Sequence, residues 1–219
     1  MSDATLTVVG IGADGWRGLG EQAREAVLSA TLLVGSKRQL ELVPATPAER
    51  RPWPSPIDSL LEELVAGTTG PTCILASGDP MLYGIGATLA RRVDPARLVV
   101  HPQVSAFALA CARLGWPQAE TELLTTVGRP VEAIARFLQP GRRLVLFVSG
   151  AGAVSEIARI LRGNGLGPSR LAVLESLGGS DERIVESTAD DWGEQPVEAL
   201  HVVGVECRAG ADVRPRPRT

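Results

Sequence analysis

Short runs rich in Val, Leu and Ile alternate from end to end with stretches whose apolar residues recur at three- and four-residue spacing. The first pattern marks strands and the second amphipathic helices. Strands are expected at 6–9, 32–34, 72–76, 98–101, 122–127, 144–148, 171–174 and 200–205, and helices at 21–30, 56–66, 84–92, 105–114, 131–138 and 153–162. Such alternation is the signature of βαβ units around a mostly parallel sheet. Eight strands are too many for one small sheet, and Gly115-Trp116-Pro117-Gln118 interrupts the pattern near the middle. The expectation is therefore an α/β chain of two lobes, 1–118 and 119–208. The segment 209–219, with Arg214-Pro215-Arg216-Pro217-Arg218, reads as a tail or linker, because alternate prolines suit neither a helix interior nor a central strand.

Composition agrees with a globular α/β protein: 44% of the 219 residues are hydrophobic and 21% charged. Four Trp, three Phe and one Tyr are too few for a row of stacking platforms, and a net charge of −3 gives no general attraction to nucleic acid or anionic membranes. Cys73, Cys111 and Cys207 are odd in number and far apart, which supports neither a disulfide framework nor a zinc site and fits a reducing cytoplasm. No secretory leader and no membrane-length apolar run is visible.

Three loops that follow strands carry the candidate chemistry. The first, Gly10-Ile11-Gly12-Ala13-Asp14-Gly15, is a literal GxGxxG, but Gly18 and Gly20 follow it, so the helix starts near Glu21 rather than inside the motif. No acid ends the second strand; Gly35-Ser36-Lys37-Arg38 stands there and would at best suit the 2′-phosphate of NADP. The second loop, Ser77-Gly78-Asp79-Pro80-Met81-Leu82-Tyr83-Gly84, puts a carboxylate where open α/β sheets bind ligands. That carboxylate suits ribose hydroxyls, an amino group or a sulfonium, or serves only a tight turn. The third loop, His101 to Phe107, places Ser105 before a helix, a capping position in its own right. His101 and His201 have no partner at metal-ligand spacing and read as structural. There is no GxSxG, no GK[ST] phosphate loop and no HExxH.

Taken together and in order, these loops resemble the tetrapyrrole methylases that use S-adenosylmethionine in corrin biosynthesis. The resemblance rests on Val8 to Gly15, Gly35 to Leu40, Trp53-Pro54-Ser55-Pro56, Ala76 to Gly86, Val104 to Phe107, Arg113 to Pro117 and Val173 to Arg183, and spans about residues 6 to 207. Within the family the segments look most like the branch that methylates carbon 5 of the precorrin-6Y (precorrin-6B) macrocycle. The pattern departs at Thr126-Val127-Gly128-Arg129, where many members of the branch have His-Gly-Arg, so no general base is assigned.

The resemblance implies a two-lobed fold with a mostly parallel sheet in the first lobe, a mixed α/β second lobe and a cofactor cleft between them. It implies cofactor contacts from Gly78, Asp79, Met81, Ser105 and Ala106 in the first lobe and from Ser149 and Leu200 in the second. Asp14 is a candidate for the pyrrole NH groups, and Lys37, Arg38 and Arg129 for the macrocycle's carboxylates, which cationic side chains bind well. It further implies S-adenosylmethionine with no metal, a precorrin substrate, a homodimer, and in some relatives a fused partner that methylates carbon 15 and decarboxylates an acetate. Two other readings of the residues stand beside this one: a module that binds a nucleotide-like ligand without chemistry, and an NADP-dependent oxidoreductase.

Overall fold

A computed structural model describes residues 5–150, 152–193 and 195–210; the Arg/Pro segment singled out above lies outside them. The chain divides into two compact units between Ser105 and Ala106.

The first unit is built on five strands, β1 (Leu6–Ile11), β2 (Leu32–Gly35), β3 (Glu49–Pro52), β4 (Thr72–Ser77) and β5 (Leu98–His101), in the order β3-β2-β4-β1-β5. Every pairing is parallel. Central strands of a parallel sheet are covered on both faces, which is why β1 reads as an almost unbroken apolar run. Val9 and Ile11 belong to the core on one face with Ala23 and Val27 of α1 (Glu21–Ser29). Leu6 and Val8 belong to the core on the other, with Leu60, Leu61 and Leu64 of α3 (Asp58–Ala66). Between these helices α2 (Lys37–Glu41) is a single short turn. Ser36 caps it, accepting from the Gln39 N–H while the Gln39 side chain accepts from the Ser36 N–H. The helix α4 (Ile85–Leu89) follows the Gly-Asp-Pro loop.

The second unit carries β6 (Thr121–Thr125), β7 (Arg143–Phe147), β8 (Arg170–Glu175), β9 (Arg183–Thr188) and β10 (His201–Glu206), in the order β6-β7-β10-β8-β9. Only β6 and β7 are parallel; β10 runs antiparallel to both neighbours, as do β8 and β9 to each other. One face is covered by α6 (Ala153–Gly163), whose Val154, Ile157, Ala158 and Leu161 recur at helical spacing and are fully buried. The other face holds Ala110 and Cys111 of α5 (Ala106–Leu114) against Val145, Ala172, Leu174 and Val202.

That packing moves the division of the chain from the expected position near residue 118 to the start of α5, because the helix buries its apolar side in the second unit's core. Two strands are additional to the expected eight, the edge strands β3 and β9. The stretch expected as a helix at 131–138 is a run of 3-10 turns, Val131–Phe137. No helix among the described residues is long and apolar enough to cross a membrane. All three cysteines are free and buried, and burial pushes the Cys73 thiol up to about 12 and that of Cys207 to about 11.

Candidate functional site

Because the strands of the first sheet all run the same way, the loops that leave their carboxyl ends emerge along one edge. The point of convergence is Gly10. A β-carbon there would lie 2.1 Å from the Gly78 carbonyl oxygen, 2.8 Å from the Gln103 nitrogen and 3.0 Å from Pro80 Cδ. Glycine is therefore required by the approach of two other loops. The Gln103 side chain ties the third loop to the first by donating to the Gly18 carbonyl at 2.6 Å, and the Gly78 N–H donates to Ile11 O at 3.0 Å.

Within the Gly-Asp-Pro loop, Gly78 has φ +58°, and Asp79 Oδ1 accepts the Met81 N–H at 2.8 Å. The carboxylate thus makes the turn, as the modest reading of this motif expects, and remains part-exposed. Met81 and Tyr83 are 46% and 54% exposed, and Tyr83 takes a left-handed φ of +54°. Gly84 and Gly86 lie so close to the Pro80 backbone that neither tolerates a side chain without displacement. The part-buried Ser105 and Ala106 end the third loop and open α5.

The α2 turn stands beside this loop. Arg38 Nη2 and Gln39 Nε2 both donate to Ser77 Oγ, at 3.3 and 3.0 Å, while the Arg38 and Lys37 side chains stay exposed. Asp14 is exposed, and its carboxylate folds back over Gly12 and Gly18 in the first loop. The long glycine loop contains a 3-10 turn, Gly15–Gly18, before α1 begins at Glu21, so the helix does not open inside the GxGxxG segment. Among the described residues no group of three or more His, Cys, Asp or Glu is placed to hold a metal ion.

In the second unit the register brings another set of loops to one edge of the sheet. The ends of β6, β7 and β8 and the start of β10 and β9 lie there. Arg129, Ser149 and Leu200 all occupy that edge and all are exposed. The Leu200 carbonyl accepts the N–H of Ser176, which has φ +49°. Glu182 shapes the loop between β8 and β9 by accepting the Gly178 N–H at 2.7 Å, and its carboxylate pairs with Arg113 at the end of α5. The guanidinium holds the Glu182 carboxyl below the usual carboxylate range.

Sequence reasoning passed over one cluster at this edge. Glu175 is 1% exposed, accepts from Arg183 Nε at 2.6 Å and from the Glu198 N–H at 2.9 Å. The Arg183 guanidinium and the Glu198 amide hold its carboxyl down against a burial that pushes it up. The available signal was a glutamate ending an otherwise apolar strand.

Known proteins share the sequence pattern and the fold of this chain. The model of the Tetrapyrrole (Corrin/Porphyrin) Methylases matches residues 5–192. A Sinorhizobium protein named precorrin-6Y C(5,15)-methyltransferase [decarboxylating] is 38% identical over 213 residues, which cover 97% of this chain and 52% of the relative. Its Mycobacterium tuberculosis counterpart is 40% identical over 205 residues, covering 91% and 51%. The chain thus spans about half the length of these relatives. A Salmonella typhimurium cobalt-precorrin-7 C(5)-methyltransferase is 33% identical over 181 residues, covering 82% of this chain and 88% of the relative. Among solved structures, the Archaeoglobus fulgidus precorrin-6Y methylase superposes with a TM-score of 0.70 at 24% identity, over 94% of this chain and 99% of that one. A Thermus thermophilus uroporphyrin-III C-methyl transferase, solved with S-adenosyl homocysteine, gives 0.68 at 19%, over 92% and 97%. With a family match over most of its length and relatives at this identity, the chain belongs to the tetrapyrrole (corrin/porphyrin) methylases.

Proposed function

We propose that this chain is an S-adenosylmethionine-dependent methyltransferase that methylates carbon 5 of a precorrin macrocycle in cobalamin biosynthesis. The observation that carries the reading is where the relatives overlap. The chain matches half of proteins named for carbons 5 and 15, and nearly all of one named for carbon 5 alone. The half it matches is then the carbon-5 half, and decarboxylation with carbon-15 methylation falls to the other, fused or separate.

The residues fit such a cofactor. When bound, S-adenosylmethionine supplies an electrophilic methyl group on a positively charged sulfur. Asp79 puts a negative charge, and a carboxylate oxygen with no partner among the described residues, at the edge where the loops converge, suited to hydroxyls, an amino group or that sulfonium. Gly78, Met81, Ser105 and Ala106 carry over as its neighbours, and Ser149 and Leu200 take the same role in the second unit. Lys37, Arg38 and Arg129, all exposed, are assigned to the substrate's carboxylates, and Asp14 to its pyrrole NH groups. Their task is to hold an electron-rich carbon in line with the methyl group, since positioning alone supplies much of the rate of such a transfer. The reaction calls for no covalent nucleophile, and we assign no metal. The protein is expected to work in the cytoplasm as a homodimer.

Incubation with the precorrin and labelled S-adenosylmethionine, followed by mass spectrometry, tests the assignment. A product one methyl group heavier with its acetate retained is expected; two methyl groups or loss of carbon dioxide refutes the division of labour. Stabilisation against heat by S-adenosylhomocysteine and none by NADP is expected as well. Asp79→Ala should weaken cofactor binding in titration calorimetry, and unchanged affinity would overturn the role given to that carboxylate.

A further inference from the structure

The start of β10 is fixed by an arrangement that neither strand pairing nor apolar burial requires. His201 and Glu175 stand opposite each other in the antiparallel register of β10 and β8, so their side chains share one face of the sheet, the face of Val203, Val173 and Leu171. Between them they hold one peptide unit on each side of Glu198. Glu175 Oε1 accepts the Glu198 N–H at 2.9 Å, and His201 Nδ1 lies 2.6 Å from the Glu198 carbonyl oxygen. A carbonyl oxygen only accepts, so Nδ1 carries the hydrogen and donates it. Nε2 is buried and has no partner among the described residues, so the bond to Glu198 is the polar interaction that accounts for a histidine here. Arg183 Nε completes the cluster by donating to the other Glu175 oxygen at 2.6 Å.

The segment from Gln195 to Leu200 is largely exposed and forms no helix or strand. Its last residue presents the carbonyl that receives the Ser176 N–H, and Leu200 is one of the positions assigned to the cofactor. We propose that His201 and Glu175 are positioning residues which, by gripping the Glu198 backbone from its two sides, set the Glu198–Leu200 segment and through it the Leu200 contact with S-adenosylmethionine. The proposal rests on the methyltransferase reading for its consequence. The clamp itself is a matter of backbone order and is read separately.

The test compares the wild-type chain with His201→Ala, His201→Asn and Val203→Ala. An asparagine amide can donate from about the place of Nδ1 and should restore what alanine removes. Val203, fully buried two residues along the same face, reports on core loss without touching the clamp. Hydrogen exchange of the 195–201 peptide should speed up in His201→Ala and stay at the wild-type rate in His201→Asn and Val203→Ala. Calorimetric affinity for S-adenosylhomocysteine should fall about tenfold in His201→Ala, the order expected for one hydrogen-bond anchor. It should recover in His201→Asn and hold in Val203→Ala, and only in His201→Ala should KM for S-adenosylmethionine rise more than kcat falls. Unchanged exchange in His201→Ala overturns the clamp. Faster exchange with unchanged affinity overturns its link to the cofactor, and a wild-type chain that binds no S-adenosylhomocysteine overturns the methyltransferase reading instead. If His201→Ala does not fold, Glu175→Gln takes its place. Its amide has one oxygen for two donors, so an amide nitrogen comes to face either Arg183 or the Glu198 N–H, and the variant should show the same pairing of faster exchange with weaker binding; neither change would refute the proposal.

Discussion

Replacing Gly10 with alanine puts a methyl group where three loops of the first unit already touch. Its carbon would sit 2.1 Å from the Gly78 carbonyl oxygen, so that oxygen has to retreat by about 1 Å before ordinary contact is restored. Gly78 cannot move freely, because its N–H is bonded to Ile11 O and its φ of +58° is already in the left-handed region. Overpacking of this kind costs about 1–3 kcal/mol and a lost backbone hydrogen bond about 1 more, giving roughly 2–4 kcal/mol. For a chain of about this length that corresponds to a fall in Tm of about 5–15 °C. Gly163→Ala is the control: an exposed helix position with nothing within 4 Å, where alanine should stabilise by about 0.5–1 kcal/mol. Differential scanning fluorimetry with and without S-adenosylhomocysteine reads both effects, and Gly10→Ala should also lose most of the ligand-induced rise. A Gly10→Ala protein with wild-type Tm and an undiminished ligand response would show that the three loops yield at no cost, and the close approach would carry no weight.

Glu175→Gln should cost about 1–3 kcal/mol in urea unfolding at pH 7. Because the folded carboxyl lies below its ordinary range, that difference is fully present above about pH 4.3 and disappears as pH falls through the folded value; a gap constant from pH 7 to 3 would contradict this. Cys73, Cys111 and Cys207 should react with a thiol reagent at pH 8 only after denaturant is added, since all three are buried and burial raises their pKa values; rapid labelling of the native protein would refute it. Sedimentation should find a dimer of the 23.0 kDa chain, and a monomer across a wide concentration range would dispose of that expectation.

The strands buried on both faces were legible because burial demands continuous apolar runs, as in Leu6 to Ile11. The two that escaped are edge strands. Glu-Arg-Arg-Pro of β3 has no Val, Leu, Ile or aromatic residue, and it is a strand only because Leu32 to Gly35 offers it a ladder. In β9 no residue is fully buried, so pairing with β8 more than burial makes it a strand. Lys37 and Arg38 were read only as cations for a ligand's phosphate or carboxylates; they also begin a helical turn, which a capping box of four residues makes possible with almost no periodicity to see. At the site, the Gly-Asp-Pro loop announced itself through its residue types. The clamp of Glu175 and His201 did not, since it exists only once β8 and β10, 26 residues apart at that pair, lie side by side. His201 read alone was a structural histidine, and the structure shows which peptide it serves.

Each sheet keeps in its interior a strand whose partners are remote in the order of synthesis. β1 is made before the other strands of its sheet, yet Leu6 pairs with Thr72 and Leu98, so one edge of β1 stays open until residue 72 has been made and the other until residue 98. In the second sheet the gap between β7 and β8 is filled by β10, the last of that sheet's strands to be made. A nascent chain halted after β9 therefore exposes two open strand edges flanking one vacant place, a ready template for the His201–Glu206 segment of another copy. Closure of both loops carries the entropy of long-range contact, and the synthesis of residues 201–206 is what lets β7 and β8 find the strand that lies between them.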